Sequence, residues 1–428
     1  MDFLRALFGI AFLIGIAYLF SRDRKHIDWR LVLTGVVLQI VFGLLITQVP
    51  FVKLAFNWIS AQFVAFLGFS QEGAAFLFGD LVDQEKSGFL FALQVLPTVI
   101  FFSTITTGLY YLGVLQWVVK GIAWIMARSM RLSGAEALSA AGNIFLGQTE
   151  APLLVRPFVP KMTQSELMCL MTGGMATIAG GVLAGYVTFL GGADPVEQER
   201  FAVYLISASI MNAPVAIVMA KIMVPEIYQD KINKDLTVSS SSMGANLIDA
   251  LAIGAAEGLK LALNIGAMLL AFIALIAAIN AFLMFVGDIF SLNEVIVAAT
   301  NGTFDGLSME YLLGQIFRVF AFAMGVDWSE ALQVGSLLGQ KVAVNEFVAY
   351  LGLSELMDQG ALSEKSIVIS TYALCGFANF SSIAIQIGGI GGMAPSQQGN
   401  ISKLGFRALL AATIATMMTG TIAGVLMV

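Results

Sequence analysis

Charge is scarce in this chain. Only 12% of its 428 residues are Asp, Glu, Lys or Arg, while 58% are hydrophobic, and the mean hydropathy is +0.87. No soluble domain of that length hides so much apolar surface in one core, so the chain reads as an all-α polytopic membrane protein. It has one histidine, His26, in a charged loop. That excludes a His-Glu-x-x-His metal site, and the lack of Gly-x-Ser-x-Gly and Cys-x-x-Cys further disfavours an intramembrane enzyme. The two cysteines, Cys169 and Cys375, lie inside apolar runs, where they serve as small buried hydrophobes rather than disulfide halves. Nine prolines against 43 glycines leave few fixed kinks and many places where helices can pack closely or unwind. A net charge of −6 without a basic patch argues against a nucleic-acid partner.

Hydrophobic runs and charged loops together set a topology. The first run, Phe3 to Phe20, offers no small-residue cleavage site, so it is expected to be an uncleaved span. The basic cluster Arg22 to His26 then belongs in the cytoplasm, which places the N-terminus outside. A second span follows over Arg30 to Gln48. Phe51 to Phe69, with Trp58 and polar residues at helical spacing, reads as an interfacial amphipathic helix. A third run, Gly88 to Val119, leads to Lys120, Arg128 and Arg131, and Lys120 to Leu132 is expected to lie on the inner surface. The acidic loop Asp194 to Glu199 and the region of Asp288, Glu294, Asp305 and Glu310 belong outside. The polar segment Glu226 to Ser242, with Lys231 and Lys234, belongs inside, as do Lys403 and Arg407; Glu257 and Lys260 mark the inner end of a span. Arg318, within the apolar stretch Leu312 to Met324, either snorkels to the surface or pairs with an acid. One orientation satisfies every charged loop: both termini outside and about eight crossings, provided the segments around Glu150 and Glu346 return to the side they enter.

Those two segments are Gly147-Gln148-Thr149-Glu150-Ala151-Pro152 and Asn345-Glu346-Phe347-Val348-Ala349-Tyr350. A carboxylate at membrane depth costs about 2.5–3.5 kcal/mol even on lenient scales, so such residues mark ion or substrate paths. Between Ser139 and Met162 a central polar break leaves about ten residues on either side, where a span needs about twenty. Non-helical backbone at depth persists only where protein or a cavity surrounds it, which predicts a re-entrant hairpin with its tip at Gln148-Thr149-Glu150. Pro152 falls where the second arm starts, and proline suits a helix's first turn.

The pattern recurs. Glu136-Ala137-Leu138, Glu150, Ser165-Glu166 and Gly174-Met175-Ala176-Thr177 find the same order in Glu330-Ala331-Leu332, Glu346, Ser363-Glu364 and Gly376-Phe377-Ala378-Asn379. Each hairpin is followed by a span that glycines and polar residues interrupt. The expectation is two oppositely oriented re-entrant hairpins in an inverted repeat, an architecture of secondary transporters. Gly181 and Gly185 form a small-xxx-small pair, read as helix packing.

The strings 147–152, Val155-Arg156-Pro157, 345–350 and Cys375-Gly376-Phe377-Ala378-Asn379-Phe380-Ser381-Ser382-Ile383 resemble those of the concentrative nucleoside transporters, from the first span to the last. The chain looks like a bacterial, eight-span member, placed in the inner membrane. The resemblance implies a nucleoside symporter driven by Na+, working by alternating access, with uridine-type or also purine nucleosides as substrate. It implies that Gln148 and Thr149 contact the nucleobase with Glu150 nearby, that Glu346, Asn379 and Ser382 hold the ribose hydroxyls, and that Phe377 packs on the nucleoside. Chemistry agrees, since glutamine pairs a donor with an acceptor and a carboxylate only accepts. The sodium positions it implies are Asn143, Leu146, Thr177 and Ile178, with Thr177 standing where a serine is usual.

By the same resemblance, residues 1–119 hold scaffold spans 1–3 and 226–290 the inner loop and scaffold span 6. Residues 120–225 and 291–428 are the two transport repeats, which move against that scaffold in a homotrimer. A proton-coupled nucleoside symporter and a carrier of another small polar solute, such as an amino acid, are the rival readings; a channel suits two unlike half-sites poorly.

Overall fold

The computed structural model of the protein describes residues 2–192, 194–228, 232, 233, 236 and 244–427. Lys231 and Lys234 lie outside the described residues. Regular structure among the described residues is helical throughout. The first two runs form the helices Asp2–Leu19 and Trp29–Gln48. Asp28 starts the second by accepting from the Arg30 and Leu31 N–H groups, which a helix's first turn leaves without partners. Its 20 residues rise about 30 Å, the depth of the hydrocarbon core.

Two boundaries differ from expectation. The amphipathic segment 51–69 belongs to one helix, Pro50–Phe78, of 29 residues, long and apolar enough to cross a membrane. Pro50 starts it, and nothing stops it before Gly79 at φ 59°, because glycines inside a helix weaken it without ending it. The third run instead divides at Gly113, φ 79°, into Leu96–Tyr111 and Val114–Met130. The helix expected from Lys120 therefore begins a turn and a half earlier.

Hairpin 1 leaves on the helix Gly134–Gly142, started by reciprocal hydrogen bonds between Ser133 and Glu136. Its return is two 3-10 turns, Ala151–Val155 and Val159–Lys161. Pro152 sits in the first turn of that arm as expected, but Pro157 and Pro160 remove donors that a continuous α-helix needs. Hairpin 2 is α-helical on both arms, Ala331–Ala343 and Glu346–Asp358.

The hairpins enter from opposite ends of the bundle. At the base of hairpin 1, Arg22 hydrogen-bonds Gln164, the Arg22 N–H donates to Met223 O (2.9 Å), and Gln397 donates to the carbonyls of Pro160 and Met162 (3.1 Å each). The loops expected inside thus share one end. At the other end, Arg5 pairs with Asp327 (3.1 Å), Arg200 with Glu364 (3.1 Å), and Ser363 donates to Glu330 (2.9 Å).

The repeat holds in order and shifts in register. The residues that start the first arms are Ser133 and Glu330, and those that start the following half-helices are Thr163 and Ser363. The broken spans are Gln164–Ala176 with Gly180–Gly191, and Glu364–Leu374 with Phe380–Met393.

The core sits among the helices that carry the breaks. The first broken span is 94% buried over its most apolar stretch, and Pro395–Leu426 83%, whereas the 43-residue helix Leu247–Ile289 is 0% buried and Pro50–Val82 11%. Those last two figures are for the most apolar stretch of each helix, which is apolar surface fit for lipid or another copy, while Gly254, Gly258 and Ala262 of the longer helix and Leu67 and Ala74 of the other are buried. Gly181 and Gly185 take the packing role: a Cβ there would meet Val99 O at 3.4 Å and Val95 Cγ1 at 3.0 Å. Arg318 makes no ion pair among the described residues; its guanidinium lies 3.9 Å from the centroid of the Trp328 ring and donates to Trp328 O at 3.4 Å.

Candidate functional site

The breaks of the two spans meet at the centre of the bundle. The Phe377 N–H donates to Thr177 O at 3.3 Å. Gly376, at φ 155°, approaches so closely that a Cβ would lie 2.9 Å from the Ala176 carbonyl, so only glycine fits there. Unwinding frees carbonyls at the end of each first half-helix, and one amide holds both: Asn212 Nδ2 donates to Ala176 O (2.8 Å) and Cys375 O (2.9 Å). Thr419 donates to Asn212 Oδ1 (2.5 Å) and Gln39 donates to Thr419 (2.8 Å), all three residues being fully buried.

Both hairpin tips reach this crossing. Glu346 accepts from Tyr186 Oη (2.8 Å) and Asn379 Nδ2 (3.0 Å). Asn379 starts the second half-helix, its Oδ1 accepting from the Ser382 N–H (2.9 Å) and the Ser381 hydroxyl (2.7 Å). From the other tip, Gln148 Nε2 donates to Ser382 Oγ (3.0 Å), while Gln386 Nε2 donates to Gln148 Oε1 (3.2 Å) and Met171 O (3.0 Å). Gly174 makes room: a Cβ there would lie 3.0 Å from both Gln148 Cβ and Gln386 Nε2. Thr149 packs on Gly389, where a Cβ would meet its Cγ2 at 3.0 Å. Phe377 is half-buried beside the break. Of the residues expected to bind substrate, Gln148, Glu346, Asn379 and Ser382 therefore form hydrogen-bonded pairs at one centre, with Thr149 and Phe377 at its border.

Glu150 turns elsewhere. Its Oε2 accepts from the Gly147 N–H at 2.6 Å, and the residue lines a separate pocket with Ser103, Thr106, Thr107, Tyr110 and Glu257.

The four sodium positions gather where hairpin 1 meets the first break. Asn143 is completely buried, and neither atom of its amide has a partner among the described residues. It abuts Gly173, where a Cβ would lie 3.1 Å from Asn143 Nδ2, and the Thr177 hydroxyl donates to Gly173 O at 2.9 Å. The Gly180 N–H donates to Phe145 O (3.1 Å), which ties the segment holding Leu146 to the one holding Ile178, both buried. Uncharged oxygen donors at an unwound segment are the chemistry of a weakly held alkali cation, and a buried amide without partners is otherwise costly.

Sequence reading missed Tyr186, Asn212, Lys341 and Gln386. Each lies within an apolar run, and each is a polar side chain buried in the bundle. Gln386, within one turn of the end of the recognised string, was the most visible of them.

Comparison with known proteins relates the chain to one transporter family. The family models for the Na+-dependent nucleoside transporter N-terminus and C-terminus match residues 8–81 and 204–424, and one described as nucleoside recognition matches 92–193. An uncharacterized transporter of Haemophilus influenzae is 43% identical over 431 residues, covering 99% of this chain and 98% of that protein. Sodium/nucleoside cotransporter 1 of Mus musculus is 39% identical over 434 residues, covering 98% of this chain and 63% of that protein. CNTnw in an inward-facing substrate-bound state superposes with a TM-score of 0.89 at 40% identity, covering 100% of this chain and 99% of that one. A CNTnw variant in an outward-facing state gives 0.90 at 39%, covering 100% and 98%.

Proposed function

Because the chain belongs to the family of Na+-dependent, concentrative nucleoside transporters, we propose that it imports nucleosides, uridine among them, coupled to Na+. The observation that carries this is the pairing of both hairpin tips with both broken spans through Gln148–Ser382 and Glu346–Asn379. Glutamine offers a donor beside an acceptor for a base edge, and Glu346 offers acceptors for the two hydroxyls of a ribose. The side-chain bonds that now join these residues are ones a bound nucleoside exchanges for its own. Asn143 and Thr177, with the carbonyls of Leu146 and Ile178, take the sodium ion.

A neutral nucleoside accumulates only with a partner moving downhill. One cation gains about 2.3 kcal/mol per 100 mV, which supports roughly fifty-fold accumulation before any ion gradient is counted. Alternating access moves the repeats at 120–225 and 291–428 against the scaffold at 1–119 and 226–290. The contrast between the buried first broken span and the exposed apolar stretches of the helices at 50–82 and 247–289 supports that division. Assembly as a homotrimer in a bacterial inner membrane follows from the resemblance, and both termini outside from the charged loops. The gathering of Arg22, Lys161 and the 395–400 turn at one end supports the orientation.

The test is uptake of labelled uridine into proteoliposomes under an inward sodium gradient or an inward proton gradient without sodium. Accumulation only with sodium is expected. Accumulation driven by protons alone would shift coupling to Glu150, whose pocket with Glu257 favours that second reading, and no uptake in either case would point to another polar solute.

A further inference from the structure

The first arms of the two hairpins end on different chemistry. Asn143 stands ten residues beyond Ser133, which starts its arm, and Lys341 stands eleven beyond Glu330, which starts the other. The two residues therefore hold positions within one residue of each other in the repeat. Both are buried, Asn143 at 0% and Lys341 at 1% exposure. Asn143 has no hydrogen-bond partner for its amide among the described residues. Lys341 Nζ donates to Ala373 O and to Thr416 Oγ1, each at 2.8 Å.

Ala373 lies in the last turn of the first half-helix of its broken span, as Gly173 does in the other repeat. The last turn of a helix carries unpaired carbonyls and the negative end of the dipole, where a cation is favoured. Burying an ammonium costs several kcal/mol, a cost tolerated where its hydrogen bonds are made and its charge is used. Lys341 lies near the end of the first arm of hairpin 2, and Glu346 starts the second arm at its tip.

We propose that Lys341 is the tethered counterpart of the coupling ion: its ammonium fills in repeat 2 the half-helix end that an exchangeable cation fills in repeat 1, so that repeat 2 requires no ion of its own. This rests on the reading of Asn143 and Thr177 as cation ligands. Sodium then enters and leaves through repeat 1 alone.

The experiment measures uridine uptake by Lys341→Ala and Lys341→Met in proteoliposomes, with sodium titrated and with methylammonium added. Uptake by Lys341→Ala is expected to fall about 100-fold, the loss attending a buried ion left without its partner. Methylammonium should restore it about ten-fold in Lys341→Ala, whose cavity can admit the amine, and not in Lys341→Met, whose side chain fills it. Native uptake with a native sodium curve in Lys341→Met would overturn the proposal, as would absence of amine rescue in a Lys341→Ala protein that melts at the native temperature. In the native protein the ratio of charge to uridine moved should be one, and a ratio of two overturns the proposal even if neither variant folds. Asn143→Ala serves as the separate check on repeat 1: unchanged sodium dependence there would refute the cation site itself, whatever the Lys341 variants do.

Discussion

Hairpin 1 and hairpin 2 share a path and differ in nearly everything else. Hairpin 1 returns on proline-broken 3-10 turns, and its base is closed by a buried ion pair, Lys221 Nζ to Glu136 Oε1 at 2.5 Å, with Ser165 accepting from the same ammonium at 3.0 Å. Hairpin 2 is α-helical on both arms and its base is joined by exposed hydrogen bonds between Ser363 and Glu330. The first tip presents the amide of Gln148 and the hydroxyl of Thr149, with the Asn143 amide behind them unpartnered among the described residues; the second presents the carboxyl of Glu346, with Lys341 behind it. Duplication of a topology thus leaves chemistry free to diverge; in the function proposed above, one repeat would serve the base edge and the exchangeable ion and the other the sugar hydroxyls.

Variants can break this contrast. The largest effect is expected from Glu346→Ala, because hydrogen bonds to a charged group are worth about 1.5–3 kcal/mol each and two ribose donors would be lost: uridine uptake should drop at least about 100-fold. A smaller loss than ten-fold would move the ribose away from hairpin 2. Asn212→Leu strikes both repeats equally, stripping the donor from Ala176 O and Cys375 O. A stability loss of about 2–3 kcal/mol is expected from the two unsatisfied carbonyls, seen as a lower melting temperature in detergent, and an unchanged melt would show that the clamp is dispensable.

Asn143→Ala or Thr177→Val should act on repeat 1 alone, raising the sodium concentration for half-maximal uptake about ten-fold, the worth of one oxygen ligand at about 1.4 kcal/mol. Gln148→Ala should raise the KM for uridine by a similar or smaller factor with the sodium curve unchanged, since a neutral hydrogen bond contributes about 0.5–1.5 kcal/mol. Tyr186→Phe removes one donor from Glu346 and leaves Asn379 in place; a KM change of about three-fold is the expected outcome in uptake assays.

Local pattern revealed the span limits where a cap or a glycine stands at the boundary, as at Asp28. It failed at Phe69, where the polar spacing that suggested an end lies inside a helix that runs on to Gly79. It found the two hairpin tips because carboxylates in apolar runs are conspicuous, yet it aligned the repeats by shared letters and missed the register that their helix starts define, Ser133 with Glu330 and Thr163 with Ser363. It placed Glu150 near Gln148 because they are two residues apart; the tip's turn joins Gln148 to Ser382 and turns Glu150 to the Gly147 N–H and a pocket shared with Glu257.

By itself the sequence determined the membrane class, the helical fold with its two opposed hairpins, the family, and the polar residues at the tips and breaks, since each of these follows from hydropathy, local helix chemistry or contiguous strings. Tertiary structure alone decided which polar groups meet. Gln148 and Ser382 are 234 positions apart in the chain and 3.0 Å apart in space, Tyr186 and Glu346 are separated by 160 positions, and Asn212 joins two helix ends that no local pattern relates. The reason is physical: within an apolar medium a buried polar group must find its partner inside the protein, and which partner it finds depends on how the helices cross rather than on its neighbours in the chain.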